Sequence, residues 1–82
     1  MRASGTFTPA DLARTEAQVS RALTDAGLPA GAARAWLSSA AGRLQDEAQW
    51  SLDYDTDLQV ATFEVWKDGR MLFGLDDWLP SG

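Results

Sequence analysis

Between Leu12 and Ala26 the apolar side chains recur at helical spacing. Leu12, Val19, Leu23 and Ala26 share one face, with Ala22 beside them, while Arg14, Gln18, Arg21 and Asp25 lie away from it. The flanks mark the ends. In FTPADL, Thr8 is placed to cap the helix, Pro9 takes the first helical position and Asp11 completes a capping box. Phe7 and Leu12 have the spacing of a hydrophobic staple. Gly27 suits the left-handed residue after a helix, Leu28 can fold back, and Pro29 blocks continuation. The pattern predicts a helix over residues 9–26. A second helix is expected from about Ala30, with Ala33, Trp36 or Leu37, Ala40 and Leu44 on its buried face. It should end between Gly42 and Glu47, because glycine costs about 1 kcal/mol inside a helix and Asp46 and Glu47 oppose the dipole at a C-terminus.

The period then changes from helical to alternating. AQWSLDYD sets Ala48, Trp50, Leu52 and Tyr54 against Gln49, Ser51, Asp53 and Asp55. LQVATFEVW and RMLFGL follow as two more strands, joined by Asp68-Gly69, the favoured dipeptide of a type I′ hairpin. The expected fold is α+β: a two-helix hairpin packed on one face of a three-stranded antiparallel β-meander (ααβββ). It forms a single domain over residues 6–82, with residues 1–5 loose at the N-terminus and 80–82 loose at the other end.

Two-residue turns at Thr56-Asp57 and Asp68-Gly69 define a register. The first pairs Tyr54 with Gln59, Leu52 with Ala61 and Trp50 with Phe63. The second pairs Trp66 with Met71, Val65 with Leu72 and Glu64 with Phe73. Cross-strand partners share a face, so Trp50, Leu52, Tyr54, Ala61, Phe63, Val65 and Leu72 form the core layer under the helices. The opposite face collects Val60, Thr62, Trp66, Met71, Phe73 and Leu75, with Ser51, Asp53 and Glu64 beside them. An uncovered apolar row of this kind marks an interaction surface, unless LDDWLP folds across it. The candidate partner-binding residues are Asp53, Val60, Glu64, Trp66, Met71, Phe73, Leu75, Asp76 and Asp77.

Composition narrows the chemistry. The 82 residues include neither Cys nor His, which removes disulfides, thiol catalysis and the commonest general base and transition-metal ligand. Residues 1–43 carry five arginines against three acids, and residues 44–82 two cations against nine acids, leaving +2 and −7. The acidic half repels phosphate and favours basic protein surfaces. Without an apolar stretch of signal-peptide or membrane-span length, a cytoplasmic protein is expected. Usage rich in Ala, Arg and Gly fits a bacterium or phage with a GC-rich genome.

Three stretches come close to a specific chemistry, and each lacks part of what that chemistry needs. DYDTDLQVATFE, residues 53–64, has the ligand spacing of a calcium loop, but Leu58 stands where the loop needs glycine and strands flank it. Asp76 and Asp77 are adjacent carboxylates that a strand points to opposite faces, and no nucleophile or phosphate cradle accompanies them. VSRALTDAGLPAGAARAWL has the rhythm of a helix-turn-helix, yet its second helix is mostly alanine and the net charge is negative. No enzyme, metal or cofactor is expected.

What remains is a small acidic protein-binding module that occupies a basic or amphipathic surface of another protein. Short, acidic and without catalytic residues, the chain resembles in composition the small phage-encoded inhibitors of host defence nucleases, anti-CRISPR proteins among them. The resemblance covers no motif, and implies an anti-defence inhibitor that blocks its target by occupancy. The alternatives are a homodimer associating through the apolar sheet face and a helix-turn-helix-like, DNA-associated regulator.

Overall fold

A computed structural model describes residues 1–80 of the chain. Its elements run β1 (Arg2–Phe7), a 3₁₀ turn (Pro9–Asp11), α1 (Leu12–Asp25), α2 (Ala32–Ala41), β2 (Ala48–Asp55), β3 (Val60–Lys67) and β4 (Arg70–Trp78). The class is α+β with two helices and an antiparallel sheet, but the sheet has four strands in the order β1-β2-β3-β4, not three. The extra strand comes from the N-terminus. Residues 1–5, expected to be loose, enter β1, which pairs antiparallel with β2 from Arg2↔Asp53 to Phe7↔Ala48. RASGTF has little local strand propensity; pairing with a distant strand and burial of Phe7 hold it in place. At the other end Pro80 lies outside regular structure, and the expected looseness of Ser81 and Gly82 falls outside the described residues.

The first α-helix begins three residues later than its capping signals imply. Thr8 makes no side-chain cap bond; Asp11 is the N-cap of α1 and its Oδ1 accepts the Arg14 N–H at 3.1 Å. Buried Thr15 ties the entry together, its Oγ1 accepting the Thr8 N–H at 3.0 Å. Leu12, read as the staple partner of Phe7, is exposed. The exit follows the pattern: Gly27 has φ 76°, Leu28 N–H reaches Leu23 O at 2.9 Å, and Gly27 N–H reaches Thr24 O at 3.0 Å. These two bonds are the Schellman arrangement, and buried Leu28 supplies its apolar contact. α2 buries Ala33, Trp36, Leu37 and Ala40, and Gly42 is its C-cap.

Both hairpins depart from two-residue symmetry in informative ways. The β2–β3 loop spans residues 56–59, so Tyr54 pairs with Ala61 and Leu52 with Phe63. This slip of two positions preserves the faces. Asp55 Oδ1 accepts the N–H groups of Asp57 and Leu58 at 2.9 and 3.1 Å, and Gln59 takes φ 57° to re-enter the sheet. At Asp68-Gly69 both φ values are positive, 52° and 79°, as a type I′ turn requires. Lys67↔Arg70 and Trp66↔Met71 pair as expected. Beyond them an irregularity leaves Leu72 unpaired, so that Val65 faces Phe73, Glu64 faces Gly74 and Phe63 faces Leu75. One extra residue reverses the facing of the rest of β4.

The core lies between the helices and one face of the sheet. Trp50, Leu52, Tyr54, Ala61, Phe63 and Val65 are all buried there. Trp36 of α2 stacks on Phe63 with centroids 5.3 Å apart, and Trp50 flanks the same ring at 6.4 Å. Such pairs add about 1 kcal/mol each to their area burial.

Candidate functional site

The β4 bulge redistributes the expected recognition row. Phe73 and Leu75 turn to the helix side and pack, partly buried, against the core; Phe73 meets Phe63 edge-on at 6.5 Å. Asp77 turns the same way, and its Oδ2 accepts the Trp36 indole N–H at 3.0 Å. These three residues support the fold rather than the outer surface. The alternation is hydrophobic on both sides of the bulge, so nothing local in RMLFGLDDW distinguishes the two registers.

The outer face keeps Val60, Trp66, Met71, Asp53 and Glu64, and the bulge brings Asp76 and Trp78 to it. Its apolar members fall into two groups. At the Asp68-Gly69 end Trp66 and Met71 pair across the strands, 38% and 52% exposed. Met71 lies over Gly74, where a Cβ would approach its Sδ to 3.0 Å, and Trp66 Nε1 donates to Glu64 Oε1 at 3.2 Å. At the other end Val60 pairs with Trp78, which is 65% exposed. The ends are about 20 Å apart, at 3.3 Å per residue along β3.

Carboxylates occupy the middle and the far end. Asp76 Oδ1 accepts the Thr62 hydroxyl at 2.7 Å across β3–β4. Asp53 and Asp55 join Asp76 around an open hollow of about 570 Å³, to which Leu58, Val60 and Thr62 also contribute. Asp55 is committed to the loop backbone. Among the described residues no three acidic side chains are grouped to hold a metal ion.

Residues 75–80 do not cover this face. LDDWLP extends β4 as far as Trp78, and Leu79 then turns into the core. Its carbonyl accepts the buried Tyr54 hydroxyl at 2.7 Å, while its N–H reaches Gln59 O at 2.8 Å. Trp78 was the residue that sequence reasoning missed. Its signal was the alternation Gly74, Asp76, Trp78, which becomes visible only once Leu72 is taken out of register.

α2 presents Arg34, Ala35, Ser38 and Ser39 to solvent, and Arg34 Nε stands 3.8 Å from Glu16 Oε1. Among the described residues no helix is long and apolar enough to cross a membrane. Comparison with family models, with curated proteins and with solved structures returns no match.

Proposed function

We propose that the protein is a non-catalytic binding module that docks the outer face of its sheet against a basic surface of another protein. The observation that carries this reading is the face itself: two tryptophans and a methionine stand exposed on β3 and β4, interleaved with Asp53, Glu64 and Asp76, and among the described residues no helix or strand packs over them. Aromatic and Met side chains anchor interfaces, and surrounding carboxylates select a cationic partner. A basic side chain entering the hollow between Asp53 and Asp76 would have Val60 beside it. Inhibition by occupying a basic, nucleic-acid-binding groove is the use that the composition favours.

Self-association through the same face is the weaker reading. A face-to-face copy would have to desolvate Glu64 and Asp76, which is costly for carboxylates without a cationic partner. DNA reading by α2 has only Arg34 to offer as an outward cation within the helix, and that side chain faces Glu16.

Photo-crosslinking in the native host tests the proposal. Benzoylphenylalanine at positions 66 and 78 should capture one and the same protein, and Ser38 replaced in the same way should capture none. Lysines at Asp53, Glu64 and Asp76 together should abolish the adduct. Equal capture from position 38, or none from 66 and 78, would sink the assignment.

A further inference from the structure

The opposite edge of the sheet carries a second surface of different character. β1 is an edge strand with β2 as its one neighbour. Tyr54 N–H reaches Met1 O at 2.9 Å and the Met1 amino group reaches Tyr54 O at 3.5 Å. Bonded and non-bonded pairs alternate along an antiparallel ladder. Ala3, Gly5 and Phe7 therefore direct their backbone groups to β2, and those of Arg2, Ser4 and Thr6 point away from the sheet. β4, the other edge, is blunted by its bulge and by Asp76 and Asp77. β1 has no proline, bulge or acid.

Beside this edge α1 aligns Arg14, Gln18, Arg21 and Asp25, spaced as one stripe of a helix. Strand and stripe wall two hollows of about 440 and 260 Å³ that share Thr6 and Gln18, and so form one furrow. From Arg14 to Asp25 the helix rises about 16 Å, the length of roughly five extended residues.

Trp50 lies beneath the furrow: it is 3% exposed, and its buried Nε1 has no hydrogen-bond partner among the described residues. The ring is laid across Gly5, where a Cβ would stand 2.8 Å from Nε1, and both residues line the larger hollow. An indole N–H can only donate, as can a guanidinium. Arg14 and Arg21 are exposed and take part in neither ion pair found among the described residues. Asp25 lines one hollow and Glu47 the other.

We propose that this furrow binds an extended acidic peptide segment of a partner protein, added to β1 as a fifth strand. Its backbone pairs with Ser4 and Thr6, and its central carboxylates face Arg14 and Arg21 above the Trp50 ring. Acids at the two ends of the segment are disfavoured by Asp25 and Glu47. A second copy of the chain fits less well, because its own α1 would have to share the space above the edge with the first. The surface is separate from the acidic outer face, and its occupant has the opposite charge.

The probe is a capped heptapeptide in which valine alternates with aspartate or glutamate; the same peptide with lysine for the acids is the control. On ¹⁵N-labelled protein, the acidic peptide should shift the Trp50 indole resonance and slow amide exchange at Ser4 and Thr6, leaving Ala3 and Gly5, already bonded to β2, little changed. Ser4→Pro removes an outward N–H without touching the β2 ladder and should abolish binding. Arg21→Glu, a surface change, should weaken it roughly tenfold or more. Trp66→Ser should leave it intact. Four results overturn the proposal: no response at millimolar peptide, equal binding of the lysine peptide, loss of binding in Trp66→Ser, or protection of Ser4 and Thr6 that rises with protein concentration alone.

Discussion

A methyl group on Gly5 would meet Trp50 Nε1 and Cε2 at 2.8 and 2.9 Å. The ring is held between sheet and helices, so Gly5→Ala must displace buried structure, and we expect a loss of about 1–3 kcal/mol in urea unfolding. The start of α1 separates two residues that look equivalent on paper. Asp11→Ala removes the cap on the Arg14 N–H and should cost about 1 kcal/mol. Thr8→Ala should cost clearly less, because its hydroxyl caps nothing. Thr15→Val should cost about 1–3 kcal/mol by leaving the part-buried Thr8 N–H unpaired. Equal losses for Asp11→Ala and Thr8→Ala would return the cap to Thr8.

Among the elements, β4 decides what the outer face contains. Phe73→Ser should lower stability by about 2 kcal/mol or more, approaching the effect of Phe63→Ser, since both rings lie on the helix side. Trp66→Ser should stay within about 0.5 kcal/mol of the native protein in the same thermal or urea melts. A Phe73→Ser protein as stable as the native one would remove the bulge. The helices, most of their buried faces, the β2 core row and the Asp68-Gly69 turn were legible, because each is specified by neighbours within a few residues; on α1, Leu12 is exposed and Thr15 buried instead. The four-residue β2–β3 loop was not, yet its error was harmless: a slip of two leaves every side chain on its own face. The bulge was a slip of one, and it misplaced Phe73, Leu75 and Asp77 while hiding Trp78. β1 was missed because Ser4 and Gly5 carry no strand signal; what holds them is a partner strand that begins at Ala48.

For the whole molecule, charge separation organises behaviour. The acidic half builds β3, β4 and the outer face, and the N-terminal half places Arg14 and Arg21 along the β1 furrow. Charge reversal at Asp53 and Glu64 should therefore slow association with a basic partner, and the difference from the native protein should shrink as salt is added. Trp66→Ser in the same stopped-flow assay should act on dissociation, with a loss of roughly 30-fold in affinity for an aromatic anchor. Association that ignores salt would remove the carboxylates from the mechanism. The N-terminal strand also bears on how the chain is made. β1 leaves the ribosome before β2, yet it has nothing in the sheet to pair with until β2 has emerged, and closing residues 8–47 into a loop costs about 3 kcal/mol of chain entropy. The helical hairpin and the β2–β3–β4 meander close over far shorter distances and need not wait. Until β1 docks, Trp50 has no Gly5 beneath it and β2 is an open edge. A nascent or partly folded chain thus displays, for a time, the very surface on which a stray strand would add.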